Sequence, residues 1–190
     1  MTSSASGLTP QELRRAMQAA VRVVADFPSP GVNFRDISAV WERQPHLFRF
    51  LVDELARPHL HSPPDIVVSI ESLGHLFGAP VAYLLHCPLV LARPAGKLAG
   101  ATHRTSYAMS YANNKELEIH TDAIQPHQRV LIVDDVLASG GTAAAAASLV
   151  ETAGAVCIGV GCAVEIGYPG ARSLLRQAGM DLPIHAVVQV

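Results

Sequence analysis

The chain is short of aromatic side chains: one Trp, four Tyr and five Phe, 5% of 190 residues. Ala, Val and Leu must therefore do most of the packing, and a hydrophobic fraction of 49% supplies enough for a core of ordinary size. Charged residues are also scarce, at 16%, and so apolar a chain has little reason to stay disordered. Neither sign of charge dominates. A net charge of −2 is the wrong balance for a nucleic-acid or membrane-surface binder, which needs clustered Lys and Arg. It leaves room for an anionic small molecule held by backbone N–H groups and a metal ion.

Cysteine is sparse too. Cys87, Cys157 and Cys162 are odd in number and widely spaced, which fits neither a disulfide framework nor a zinc pattern. Their apolar neighbours suggest buried thiols in a reducing, cytoplasmic setting. The nine histidines are scattered without ligand spacing. The longest apolar run, Gly154–Val164, falls far short of the roughly 20 residues a bilayer helix requires. The opening MTSSASGLTPQELRR has no apolar stretch of signal-peptide type. No Gly-x-Ser-x-Gly elbow marks a hydrolase. The expectation is one domain over residues 1–190, with no nucleic-acid or membrane partner.

What is present has a clear order. Residues 1–8 read as a loose tail. Thr9, Pro10 and Glu12 form a helix start with a capping box, and Leu13, Met17, Ala20, Val21 and Val24 continue it as a stripe at helical spacing. The run from Phe27 to Gly31 (FPSPG) ends that helix in a stiff turn. A second helix follows Pro45, with Leu47, Phe50, Leu51 and Leu55 inward. Strands are expected at Asp65–Ile70, Pro88–Ala92, Arg129–Val133, Ala155–Val164 and Ile184–Val190, with helices at Gly74–Leu85 and Thr142–Thr152. Such alternation implies an α/β fold, a mainly parallel twisted sheet flanked by helices. Residues 93–124 are polar, turn-rich and long for a connection, as lids and binding loops are.

The most informative stretch runs from Val130 to Thr142, VLIVDDVLASGGT. A buried strand enters two acids, then a loop of small residues, then a helix. In open α/β sheets ligands bind beyond the carboxyl ends of strands. Gly140 and Gly141 let the backbone approach a phosphate, and the N–H groups of the loop and helix start favour an anion. Ala138 belongs to the same loop, and Ser139 and Thr142 add hydroxyl donors. Asp134 and Asp135 can accept hydrogen bonds from two ribose hydroxyls. No Lys follows the glycines, so this is not a P-loop.

This segment resembles the phosphoribosyl pyrophosphate motif of type I phosphoribosyltransferases. Four further segments are similar to adenine phosphoribosyltransferases: Asp26–Ser38 (DFPSPGVNFRDIS), Glu71–Pro80 (ESLGHLFGAP), Arg93–Leu98 (RPAGKL) and Leu117–Pro126 (LEIHTDAIQP). The resemblance runs from about residue 9 to the carboxyl end. It implies a small base-binding hood at about residues 9–40, where Asn33 and Arg35 hold a purine through backbone groups and Phe34 stacks on it. It implies a pyrophosphate loop at Glu71, Ser72 and Leu73 with a non-proline cis peptide near Glu71–Ser72. Arg93 and Lys97 become pyrophosphate contacts, and residues 99–116 a flexible loop carrying Tyr111. Asp134, Asp135 and Tyr111 would be the catalytic set. Mg²⁺ is implied as cofactor, held mainly by pyrophosphate and water rather than by side chains, and a homodimer is implied as the assembly. From the residues alone, Phe34 remains open between core and base stacking.

The match has three departures. The family places Arg where this chain has Leu73, a basic residue where it has Pro94, and Glu where it has Ser110. Leu cannot replace a bidentate cation, and Ser is a poor general acid or base. His75 and Arg104 are the expected compensating charges. The implied reaction moves a phosphoribosyl group from phosphoribosyl pyrophosphate to adenine, giving AMP. Transfer to a different base, or non-catalytic nucleotide sensing, stays open at this stage.

Overall fold

The computed structural model of the chain describes residues 7–109, 112–167, 170–177 and 179–190. Helix α1 spans Pro10–Ala20 and opens with the expected capping box: the Thr9 hydroxyl accepts from the Glu12 N–H while Glu12 reaches back to Thr9. Its buried face is Met17, backed by Leu13, Ala16, Ala20 and Val21. The stripe stops there. Val24, expected on that helix, lies instead in strand β1 (Arg22–Val24) and is exposed. Valine at a chain reversal favours an extended partner over another helical turn. Strand β1 pairs antiparallel with β2 (Phe34–Asp36), and Arg22 and Asp36 form an ion pair across the ribbon.

Between them the chain reverses at 26–31. The Phe27–Pro28 bond is cis, Asp26 and Gly31 have positive φ, and the Gly31 N–H donates to the Asp26 carboxylate at 2.7 Å. Short α2 (Ala39–Arg43) leads into α3 (Pro45–Ala56), whose Leu47, Phe50, Leu51 and Leu55 are buried as the pattern predicts.

Seven strands form the main sheet, in the order β5-β6-β4-β3-β7-β8-β9. Strands β3 (Ile66–Ile70), β4 (Leu89–Pro94), β7 (Arg129–Leu137), β8 (Val156–Glu165) and β9 (Ile184–Gln189) run parallel to their neighbours in that series. The residues expected as a long, turn-rich connection at 93–124 carry β5 (Thr102–Met109) and β6 (Ala112–His120), an antiparallel hairpin continuing the sheet beyond β4. Polar residues hide the strand period there: Leu117, Glu118 and Ile119 of β6 are buried in succession, and one of them is an acid.

Helix α4 (Gly74–Leu85) covers one sheet face with α1 and α3; α5 (Gly141–Thr152) and α6 (Gly170–Gln177) cover the other. Strand β7 shows the division residue by residue. Val130 and Ile132 enter the α5 side, while Leu131 and Val133 enter the α3 and α4 side, the period-2 alternation of a strand buried on both faces. Small side chains along α5 (Ala143, Ala145, Ala146, Ala147) let it lie close on the sheet. No described helix is long and apolar enough to cross a membrane.

Candidate active site

Beyond the carboxyl ends of β3 and β7 lies a cleft of about 730 Å³. Strand β7 delivers Asp134 and Asp135 to its floor. The Asp134 carboxylate accepts the Asp135 N–H at 3.0 Å and lies against Gly74, where a Cβ would sit 2.8 Å from its oxygen. Burial, and behind it the Asp135 charge, pushes the Asp134 carboxyl well above the usual carboxylate range. Burial raises Asp135 as well. Two acids held this way want donors, and ribose hydroxyls are the right kind.

The chain then turns through Ala138, Ser139 and Gly140, which line the cleft together with Thr142. Gly140 is the N-cap of α5 at φ +87°, with a Cβ position 2.9 Å from the Ala171 carbonyl oxygen. Only glycine satisfies both demands. The first α5 backbone bond runs from the Ala144 N–H to the Gly140 carbonyl. The preceding N–H groups therefore have no intrahelical partner and face outward at the positive end of the helix dipole. Gly141 is buried as the first helical residue and does not itself line the cleft.

Opposite this loop, Glu71, Ser72 and Leu73 join β3 to α4 and line the cleft. The Glu71–Ser72 peptide is cis, as the resemblance implies. Arg93 and Lys97 are absent from the lining. The Arg93 guanidinium is bonded to the Glu71 carboxylate and donates to the Lys97 carbonyl at 2.9 Å. The basic turn is anchored from below by Glu118, which is fully buried on β6. Glu118 accepts the N–H groups of Lys97 and Leu98 at 2.9 Å, the Thr102 hydroxyl at 3.1 Å and Arg104 Nε at 2.9 Å. Burial works against its charge, but donors from Leu98, Thr102, Lys97 and Arg104 outweigh it and hold its carboxyl below the usual range.

Asn33, Phe34 and Arg35 form the hood wall. Phe34 is half-buried in the cleft lining and meets Phe27 edge-to-face at 5.3 Å. Arg35 Nη1 is buried without a hydrogen-bond partner among the described residues. Tyr111 and Ser110 lie outside the described residues.

The two expected compensating charges are both committed. His75 Nδ1 is 2.7 Å from the Ser69 hydroxyl, the residue does not line the cleft, and burial lowers its pKa. Arg104 is paired with Glu118. The sequence reading missed Tyr107, Lys115 and Ile166 as lining residues. The signal for Lys115 was available: Lys115, Leu117 and Ile119 alternate on one face of β6, and the last two are buried core.

The phosphoribosyl transferase domain model matches residues 44–180. The adenine phosphoribosyltransferase of Acidothermus cellulolyticus is 42% identical over 168 residues, covering 88% of this chain and 94% of that protein. That of Gloeobacter violaceus is 44% identical, covering 83% and 91%. The crystal structure of the Rhodothermus marinus adenine phosphoribosyltransferase superposes with a TM-score of 0.83 at 36% identity, covering 95% and 99%. The Giardia lamblia enzyme complexed with 9-deazaadenine gives 0.87 at 30% identity, covering 96% and 98%. These relatives are matched along nearly their whole length, and the chain belongs to the adenine phosphoribosyltransferase family.

Proposed function

We propose that this chain transfers the phosphoribosyl group of phosphoribosyl pyrophosphate to adenine, releasing AMP and pyrophosphate in purine salvage. The observation that carries the reading is the Asp134–Thr142 segment, in which a buried acid, a half-buried acid beside it and a helix-start loop face one cleft. The proposed roles follow the geometry. Ala138, Ser139, Gly140, Gly141 and Thr142 form the loop and helix start that take the 5-phosphate, and Asp134 and Asp135 take the ribose hydroxyls. The hood residues Asn33, Phe34 and Arg35 take the base, and Glu71, Ser72 and Leu73 face the departing pyrophosphate.

In the reaction the purine nitrogen forms a bond to C1 of ribose, the C1–oxygen bond to pyrophosphate breaks with its electron pair going to the pyrophosphate oxygen, and the proton of the base passes to pyrophosphate or water. No protein nucleophile is required. Positioning of the sugar between two fixed walls, and stabilisation of charge on the leaving group, supply the acceleration. Mg²⁺ would be held mainly by pyrophosphate and water, since among the described residues no group of three or more acids, His or Cys is placed to hold a metal ion by itself. When bound, that ion neutralises charge on the leaving pyrophosphate. We further propose one cooperative domain, a homodimer as in the family, and a cytoplasmic location.

The test is incubation with adenine, phosphoribosyl pyrophosphate and Mg²⁺, followed by chromatography for AMP. Prompt AMP formation is the expected outcome. Binding of AMP with no turnover, by a folded sample, would support instead a nucleotide sensor, the reading that Leu73 in the pyrophosphate loop favours.

A further inference from the structure

Three of the lining side chains are acids, Glu71, Asp134 and Asp135, whereas the ligand proposed for the cleft is itself strongly anionic. Position 73 contributes no charge. Arg93 is engaged by Glu71, Arg104 by Glu118, and His75 by Ser69. Among the described residues only two cationic side chains line the cleft: Arg35 on the hood and Lys115 on the hairpin.

The placement of Lys115 follows from the strand that carries it. Leu117 and Ile119, at two and four residues beyond, are 1% and 0% exposed in the core. Alternation puts Lys115 on the same inward face. It stands opposite Tyr107 in the register of β5 and β6, and Tyr107 packs against that same core. Strand β5 lies along α5, so the hairpin is seated over the phosphate helix. Lys115 is therefore the residue at which the buried face of β6 runs out of core and opens on the cleft. It is exposed and has no ion-pair partner among the described residues.

We propose that Lys115 is a substrate-binding residue, supplying from the hairpin the cation for the pyrophosphate group that position 73 does not. A flexible four-carbon stem suits this role, because the ammonium follows a leaving group as a point charge without fixed fork geometry. The inference rests on the phosphoribosyltransferase reading above and adds the residue that compensates for Leu73.

The experiment compares Lys115→Gln, Lys115→Arg, Leu73→Arg and the double variant Leu73→Arg/Lys115→Gln. For Lys115→Gln the KM for phosphoribosyl pyrophosphate should rise about tenfold with the KM for adenine unchanged, and its dependence on salt should weaken. Lys115→Arg should stay near the unaltered protein. Adding Leu73→Arg to Lys115→Gln should restore the KM, a rescue that a merely structural lysine would not give. The proposal is overturned if Lys115→Gln leaves that KM within twofold, or raises both KM values together. Calorimetric titration with Mg²⁺-pyrophosphate reads the same question without turnover. If the unaltered protein forms no AMP, the functional reading falls. The lysine assignment then still stands or falls on whether Lys115→Gln weakens pyrophosphate binding.

Discussion

Asp134 carries opposed demands on stability and function. Its carboxyl is buried on β7 and its pKa is raised, first by burial and then by the charge of Asp135. A raised folded-state value means that the protonated form is the one folding prefers. Stability is fully present below the ordinary carboxylate range and is lost as pH rises through the folded value. Asp134→Asn should therefore raise the melting temperature at pH 7.5 while lowering turnover, and the gain should vanish near pH 3.5, below about 3.9 where the ordinary carboxyl is protonated. Thermal unfolding at the two pH values checks it, and an equal gain at both would rule out the linkage. Gly140 is constrained differently. At φ +87°, with the Ala171 oxygen 2.9 Å from its Cβ position, Gly140→Ala should shift the loop away from α6. The left-handed conformation alone costs a non-glycine residue about 1–2 kcal/mol. The expected result is a lower unfolding midpoint and a KM for phosphoribosyl pyrophosphate raised by about tenfold or more.

At the scale of elements, the phosphate loop is only as rigid as α6 behind it. Helix α6 is tied to the end of β8 by the Glu165–Arg172 pair, two parallel bonds of 2.8 Å, and Gln189 of β9 adds a third donor to Glu165 at 2.8 Å. The Arg172 hydrogen bonds are the main reason that the Glu165 carboxyl lies below its usual range. A lowered value gives stability present above the unfolded carboxylate pKa and lost as pH falls through the folded one. Arg172 is 41% exposed, so Arg172→Ala should cost only about 1 kcal/mol in urea unfolding. Its larger effect should be on catalysis, a several-fold rise in the KM for phosphoribosyl pyrophosphate as Ala171 loosens against Gly140. A stability loss with unchanged KM would mean that α6 does not brace the loop. This brace was not legible in the sequence, where Glu165 and Arg172 are unremarkable charges separated by a short segment. What the sequence did show was local chemistry: the Thr9–Glu12 cap, the Gly74–Leu85 helix, and the acids and glycines of Asp134–Thr142. The hairpin stayed hidden because polar residues, the buried Glu118 among them, mask the period of two. The Arg93–Glu71 pair was equally hidden, because the two residues are distant in sequence and adjacent only across β3 and β4.

For the whole molecule, the sheet is one wall shared by two cores. Ile132 projects into the core under α5, and Phe77 of α4 packs in the other with Leu131 and Val133. Adjacent β7 residues thus belong to different cores, and neither core can lose its strand without the other. Ile132→Ala and Phe77→Ala should each destabilise by about 2–5 kcal/mol, the range for emptied core sites. Both should shift the same single unfolding transition. Since the cleft is built on the carboxyl end of that shared strand, AMP bound there should raise the one transition in both variants. At a hundredfold excess over its dissociation constant the gain should be about 2.7 kcal/mol. Calorimetry with and without AMP tests this. Two resolved transitions, of which AMP moves only one, would separate the site-bearing layer from the rest and overturn the single cooperative unit.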